Sequence, residues 1–229
     1  MYKTADLPLR RRTWVELAAI PRKMRGWEFS DCKDVFPENL NALQTWIKAV
    51  SNGKIIRADG APTCGKGVLL YGEPGHGKTT LAAVTLQTLL KEFPPGNFVM
   101  KPGTTVVRPC YFITYNDLMD LKSQLMDEHS LESQRLFEGI HGDCLDDAYN
   151  VRVLVIDDVG KEHRSGSTWS QSLLHQVLRS RFSAGLPTII TTNIRLDAWG
   201  ATYGDAAESF AREAFMELAL ESPKGDLRG

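Results

Sequence analysis

The chain carries almost no net charge, because its 27 lysines and arginines are offset by 28 aspartates and glutamates. A formal charge of −1 gives the whole molecule no electrostatic drive toward nucleic acid. Apolar residues make up 42% and charged residues 24% of the composition, which is ordinary for a globular protein. The length of 229 residues suits one α/β domain with a short appendage, or two small domains.

Long apolar runs and clustered cysteines are also missing. No run approaches the roughly 20 residues that a membrane-spanning helix needs, and the stretch 13–20 is too short for a signal peptide. No Cys-x-x-Cys pair is present, which argues against a disulfide framework or a zinc site. The four cysteines are Cys32, Cys64, Cys110 and Cys144. We therefore expect a cytoplasmic protein with reduced thiols and no membrane contact.

Positive charge is concentrated at the N-terminus. Residues 1–25 contain seven basic and two acidic side chains, a local net charge of +5. Such a segment could contact nucleic-acid phosphates, the acidic face of a partner protein, or only solvent. Contacts between basic side chains and phosphates would be largely independent of nucleotide sequence. We predict a basic N-terminal segment over residues 1–29 and a single domain over residues 30–229.

A glycine-rich loop at residues 72–80 is the most informative segment. It follows the apolar run 68–71 and precedes a helical pattern. Its glycines allow consecutive backbone N–H groups to turn toward an anion, and the positive end of the next helix points at the same place. Lys78 supplies charge for the β- and γ-phosphates, and the Thr79 hydroxyl is suited to Mg²⁺. The pattern predicts a nucleoside triphosphate site.

The residues predicted to contact the nucleotide in this loop are Gly72, Glu73, Pro74, Gly75, His76, Gly77, Lys78, Thr79 and Thr80. We interpret His76 as filling a permissive position rather than as a catalytic group.

Apolar strands alternate with helical patterns along the chain. The predicted strands cover residues 67–71, 109–114, 151–156 and 187–192. The predicted helices cover residues 37–50, 81–92, 116–125, 168–184 and 195–221, the last with a break near Gly204. Asn116 and Asp117 are candidate caps for the third helix. This alternation predicts a parallel sheet with helices on both faces and a ligand site beyond the carboxyl ends of its strands.

Two later strands end in polar side chains. Asp157 and Asp158 follow a nearly all-apolar strand, and phosphoryl transfer needs a held Mg²⁺ and an aligned water. We assign Asp157 to Mg²⁺ and Asp158 to the water; the alternative is that both acids only cap the next loop. Asn193 ends the next strand with an amide that could contact the γ-phosphate or the water, or could merely terminate the strand.

These segments together resemble the AAA+ ATPases of the DnaC, DnaI and IstB group, which load replicative helicases or assist transposition. The resemblance runs from about Ile20 to the C-terminus. The segments that carry it are 20–22 with 27–29, 69–75, 111–114 with 117–118, 155–162, Trp169, 181–182 and 186–193. It implies a P-loop NTPase fold of the AAA+ type, with ATP and Mg²⁺ as the ligands.

The resemblance also implies roles for three residues. Asn193 would be the first sensor residue. Arg212 would reach the γ-phosphate in a neighbouring subunit, and Arg228 would act as a second sensor in its own subunit. The spacing around Gly204 departs from the family pattern, so Arg212 could instead be a helix-surface arginine paired with Glu208 or Glu213.

The leading hypothesis is an ATP-hydrolysing loader that binds a hexameric replicative helicase and single-stranded DNA. Fewer than 30 residues precede the core here, whereas loaders of this group carry a separate N-terminal helicase-binding domain. In this chain the short basic segment would then contact the helicase, or the partner protein is a different one. Alternatives are a transposition helper on duplex DNA and an ATP-gated module with little turnover. A small-molecule kinase is disfavoured, because the 96–108 loop offers only Lys101 and Arg108 as basic residues.

Overall fold

The computed structural model describes residues 7–32, 37–55, 65–92, 106–127, 130–160 and 168–220. Within them lies a five-stranded sheet with the order β2-β3-β4-β1-β5. Its strands are β1 (Gly67–Tyr71), β2 (Cys110–Thr114), β3 (Val153–Val159), β4 (Thr188–Thr192) and β5 (Phe215–Ala219). Every neighbouring pair is parallel. The predicted α/β fold with a parallel sheet is confirmed.

Helices cover both faces of this sheet. The α-helices among the described residues are α1 (Leu7–Leu17), α2 (Pro37–Ser51), α3 (Lys78–Glu92), α4 (Tyr115–Asp127), α5 (Leu131–His141), α6 (Thr168–Ser183), α7 (Trp199–Tyr203) and α8 (Asp205–Ala214). Side chains alternate along each strand between two cores. On β3, Val153 and Val155 pack with α1, α2 and α3, whereas Leu154 and Ile156 pack with α4, α5, α6 and α8.

The N-terminal helix packs against this domain. Trp14 is 3% exposed, and its indole Nε1 donates to the Val106 carbonyl at 3.0 Å. The amide of Phe112 donates to the Ala18 carbonyl at 2.8 Å, which covers part of the outer edge of β2. The proposed boundary at residue 29 stays a prediction, but residues from Trp14 to Met24 share one core with β1 and α3. No described helix combines the length and the apolar character needed to cross a membrane.

The end of the chain differs from the sequence-based expectation. Residues 195–221 were predicted as helical, and the break at Gly204 is present between α7 and α8. Phe215–Ala219, however, forms β5, which pairs in parallel with all of β1 from Gly67 to Tyr71. The segment is rich in helix-forming residues, and its strand conformation comes from pairing with β1 rather than from local preference.

The cap of α4 also differs. Asn116 and Asp117 were predicted as caps, whereas the hydroxyl of Thr114 accepts the Asp117 amide at 3.1 Å. The same hydroxyl donates to the Asp117 carboxylate at 2.7 Å. Thr114 is therefore the capping residue, and Asp117 supports it from the first turn of the helix.

A buried arginine joins the sheet to two helices at the end away from the loop 72–80. Arg181 on α6 is fully buried, and its guanidinium donates to four carbonyl oxygens and one hydroxyl. The acceptors are Ile140 (2.7 Å), Val151 (3.0 Å), Arg152 (3.3 Å), Pro187 (3.1 Å) and Thr188 Oγ1 (2.9 Å). Burial, and then the charge of Arg152, lower the pKa of Arg181 to about 9, so it remains charged at neutral pH.

Candidate nucleotide-binding site

A cleft of about 530 Å³ opens at the carboxyl ends of β1 and β3, beside the N-terminus of α3. Its walls come from four parts of the chain: the N-terminal segment, the glycine-rich loop with the start of α3, the end of β2 and the end of β3. The lining residues are Pro21, Lys23, Met24, Trp27, Asp31, Cys32, Pro74, Gly75, Gly77, Lys78, Thr79, Thr80, Phe112, Thr114, Asp157 and Asp158. Six of the nine predicted loop residues, all except Gly72, Glu73 and His76, therefore share one cleft with the predicted carboxylates.

The glycine-rich loop has a backbone that side chains rarely permit. Gly75 and Gly77 have φ values of 87° and 77°, in the left-handed region that favours glycine. The loop leads directly into α3, which begins at Lys78, so the helix presents its N–H groups to the cleft. Lys78 is 6% exposed, and its ammonium donates to the carbonyls of Gly72 (2.7 Å) and Glu73 (2.8 Å). This arrangement suits an anion at the helix N-terminus.

The end of β5 supports the other side of the loop. The Leu220 amide donates to the Tyr71 carbonyl at 2.7 Å, and His76 Nδ1 lies 3.2 Å from the Leu220 carbonyl oxygen. A Cβ on Gly72 would lie 2.2 Å from that same oxygen, so only glycine fits there. His76 therefore has a structural contact, in keeping with our interpretation of it as non-catalytic.

Asp157 and Asp158 occupy an irregular stretch of β3. The pairing register with β4 shifts between Ile156 and Val159, as at a β-bulge. Asp158 has a φ of 61°, which is uncommon for a residue other than glycine, although Asp tolerates it better than most. Asp157 is 4% exposed. The Thr191 hydroxyl donates to Asp157 Oδ1 at 2.5 Å and accepts the Asp158 amide at 2.9 Å.

The oxygen donors of this cleft fit Mg²⁺. Magnesium prefers oxygen ligands and is usually held by one or two protein groups together with substrate phosphates and water. Thr79 and Asp157 both line the cleft and offer such a pair. Among the described residues, no group of three or more His, Cys, Asp or Glu side chains forms a metal site of its own. A nucleotide-associated Mg²⁺ suits this donor set better than a cage built only from protein ligands.

Two further predicted site residues, Asn193 and Arg212, do not line this cleft. Asn193 follows β4 directly, is exposed, and is not one of the cleft residues. Arg212, near the end of α8, has a side chain that is 53% exposed and pairs with Glu208 at 2.7 Å. Hydrogen bonding to Arg212 lowers the pKa of Glu208, and the same contact raises the pKa of Arg212. Arg228 falls outside the described residues.

Sequence reasoning missed part of the cleft wall. Trp27 is 42% exposed and lines the cleft with Lys23, Asp31 and Cys32. Gln87 on α3 holds this segment in place, since it accepts the Gly26 amide at 2.7 Å and donates to the Met24 carbonyl at 2.9 Å. The sequence signals for this wall were the family-like segments 20–22 and 27–29, which include Pro21 and Trp27. Burial raises the pKa of the Cys32 thiol to about 11, and the nearby Asp31 charge adds to that effect.

Comparison with known proteins identifies a family. The family pattern described as "IstB-like ATP binding protein" matches residues 98–212, which is half of the chain. That match begins after the glycine-rich loop, so the family match and the loop motif at residues 72–80 are separate observations. A comparison with curated protein sequences finds no match.

Solved structures share the fold. The DnaC helicase loader is 24% identical, with a TM-score of 0.60 over 88% of this chain and 100% of that chain. DnaI is 18% identical, with a TM-score of 0.60 over 89% and 95%. The replication initiator DnaA bound to AMPPCP and single-stranded DNA is 15% identical, with a TM-score of 0.57 over 91% and 53%. The chain belongs to the IstB-like ATP-binding family, and it has the fold of the DnaC and DnaI structures.

Proposed function

We propose that this protein hydrolyses ATP and uses the nucleotide cycle to load a hexameric replicative helicase onto single-stranded DNA. One observation carries the proposal. The cleft joins Lys78, Thr79 and the Asp157–Asp158 pair in a fold that matches the whole of the solved DnaC helicase-loader chain. ATP binding follows from the family, whereas hydrolysis and loading are our proposal.

Binding begins with the glycine-rich loop. Lys78 lines the cleft at the start of α3, and its ammonium donates to the carbonyls of Gly72 and Glu73. We expect β- and γ-phosphate oxygens to exchange with those carbonyls as its acceptors, since charged acceptors make the stronger hydrogen bonds. Mg²⁺, held by Thr79 and Asp157, would neutralise charge that develops on the phosphates.

Hydrolysis would use the end of β3. Asp158 lines the cleft next to Asp157 and is our candidate for orienting the attacking water. Asn193, at the end of the neighbouring strand, is the candidate sensor of the γ-phosphate. Arg212 is exposed and does not line the cleft of its own chain, as expected for an arginine that acts on a neighbouring subunit. Such an arginine is worth about 10³–10⁵ in rate in related phosphoryl-transfer systems.

The proposed DNA contact uses the positive N-terminal segment. Arg22, Lys23 and Arg25 are exposed, and Lys23 reaches the cleft. Contacts of this kind would respond to nucleotide in the cleft and would weaken steeply with salt. DnaA provides a structural parallel, since one of its structures contains AMPPCP and single-stranded DNA together.

Phosphate release from ATP tests the enzymatic part. Lys78→Ala should abolish nucleotide binding, and Asp158→Asn should keep binding while turnover falls by about 10²-fold or more. Arg212→Ala alone should be inactive, but mixing it with Lys78→Ala should restore activity, because each supplies the part that the other lacks. Arg12→Ala is the matched control, as Arg12 also pairs with a glutamate four residues away and is exposed. Unchanged ATP affinity in Lys78→Ala would overturn the assignment of the cleft.

Co-purification tests the loading part. The replicative helicase should be recovered with the wild-type protein in the presence of ATP, and single-stranded DNA should bind more tightly than duplex. The family match favours a second candidate, an ATPase that assists transposition. Preference for duplex DNA, without helicase recovery, would support that candidate. Nucleotide binding without phosphate release under any of these conditions would support an ATP-gated module instead.

A further inference from the structure

Thr191 faces both candidate carboxylates from the neighbouring strand. On β4, Ile190 pairs with Ile156 and Thr192 pairs with Val159. Between these two pairs β3 has two residues, Asp157 and Asp158, whereas β4 has only Thr191. The Thr191 side chain is completely buried. The bulge therefore places one hydroxyl opposite both aspartates.

The direction of the two hydrogen bonds follows from their chemistry. The backbone N–H of Asp158 can only donate, so Thr191 Oγ1 accepts that hydrogen bond at 2.9 Å. The single hydroxyl proton then goes to Asp157 Oδ1, which lies at 2.5 Å. A hydroxyl has one donor and two acceptor sites, so both bonds form at once. The first bond fixes the backbone at Asp158, and the second fixes the orientation of the Asp157 carboxylate.

We propose that Thr191 is the positioning residue that sets the Asp157 carboxylate toward Mg²⁺ and Asp158 toward the water. The left-handed backbone at Asp158 agrees with this role, because a strained conformation persists only where its surroundings hold it. This inference rests on the proposed ATPase function. Thr191 itself does not line the cleft, so it acts through the two aspartates.

The test is the Mg²⁺ dependence of nucleotide binding, measured with a fluorescent, non-hydrolysable ATP analogue. Thr191→Val keeps the shape of the side chain and removes the hydroxyl, whereas Thr191→Ser keeps the hydroxyl. Thr191→Val should raise the Mg²⁺ concentration for half-maximal binding by about 10- to 100-fold, the usual effect of removing a partner of a metal ligand. Binding of the analogue in EDTA should stay the same, and Thr191→Ser should resemble the wild type.

Thr85→Val is the matched control. Thr85 is also completely buried and its hydroxyl donates to the Leu81 carbonyl, but it does not line the cleft. A Mg²⁺ midpoint in Thr191→Val equal to that of Thr85→Val would overturn the proposal, as would a Thr191→Ser protein as defective as Thr191→Val. If Thr191→Val is not recovered folded, Thr191→Ala replaces it, and equal midpoints for the Ala and Ser variants overturn the proposal.

Failure of the proposed function gives a different pattern. If the wild-type protein binds the analogue with Mg²⁺ but releases no phosphate from ATP, the ATPase proposal is contradicted. A shift of the Mg²⁺ midpoint in Thr191→Val would still support the positioning role. Analogue binding in the wild type that does not respond to Mg²⁺ contradicts the positioning role and leaves ATP binding intact.

Discussion

Removing the buried guanidinium of Arg181 should destabilise the fold strongly. Its five acceptors include four main-chain carbonyls, which no side-chain substitution can remove. Arg181→Met fills much of the volume but leaves these oxygens and the Thr188 hydroxyl without that donor. Each unsatisfied buried group costs about 1–3 kcal/mol when no other partner takes over, and breaking a buried hydrogen-bond network is among the causes of the largest single-substitution losses, about 4–5 kcal/mol. We expect a loss of about 3–5 kcal/mol in the free energy of unfolding.

Urea unfolding at pH 7 measures this loss. Arg179→Met is a matched control on the same helix, because Arg179 is exposed and its side chain contacts His175 and the Phe210 ring rather than buried carbonyls. The control should lose less than about 1 kcal/mol, as is usual at surface positions. For a domain of this size, the Arg181 variant should melt about 6–20 °C lower than the wild type.

The affinity of the Arg181 variant for an ATP analogue, measured well below its melting temperature, should match the wild type. Four of the five acceptors of Arg181 lie at the amino-terminal ends of β3 and β4 and the fifth near the end of α5, whereas the cleft lies at the carboxyl ends of the strands. Equal unfolding free energies for the two methionine variants would refute the reasoning, because the buried hydrogen bonds would then contribute nothing that an exposed arginine does not.

Two further predictions concern the glycine-rich loop and the partly buried His175. Gly72→Ala places a Cβ 2.2 Å from the Leu220 carbonyl oxygen and should lower ATP-analogue affinity by at least about tenfold. Gly204→Ala, which also has a positive φ but has no atom within 4 Å and does not line the cleft, should leave that affinity unchanged. Wild-type affinity in Gly72→Ala would contradict this prediction. Burial, and then the Arg179 charge, lower the pKa of His175 below its usual value of about 6.5, so the unfolded chain takes up that proton more readily. The free energy of unfolding should therefore fall as the pH drops from 7 to 5, and it should fall less in His175→Gln. If urea titrations give the same slope of this free energy against pH for the wild type and the variant, His175 is not responsible.

The phosphate loop and its flanking elements were predictable because their signals are local. Glycines, lysine and threonine at fixed spacing between a strand and a helix describe most of the chemistry of the loop. The ends of β3 and β4 were also predictable, since buried strands give unbroken apolar runs that polar residues terminate. These features depend on neighbours within about ten residues, so the sequence alone carries them.

The cleft wall formed by the N-terminal segment could not be predicted in the same way. Trp27 and Lys23 reach the cleft because Gln87, more than 60 residues away, holds the backbone at Met24 and Gly26. Charge alone suggested a separate basic segment for residues 1–29. Its packing into the core depends on apolar residues spaced between the charges, such as Trp14 and Ile20, whose partners are distant in sequence.

The end of β5 shows why the edge of the phosphate site was not apparent. His76 and Leu220 are 144 residues apart, and the segment 215–219 has the composition of a helix. Pairing with β1 makes it a strand and brings the Leu220 carbonyl against both His76 and Gly72. The chain therefore leaves β5 beside the phosphate loop. Arg228 is eight residues further along, and eight residues span at most about 29 Å. The predicted action of Arg228 on the nucleotide of its own subunit therefore requires only this short segment, because Leu220 already lies beside the phosphate loop.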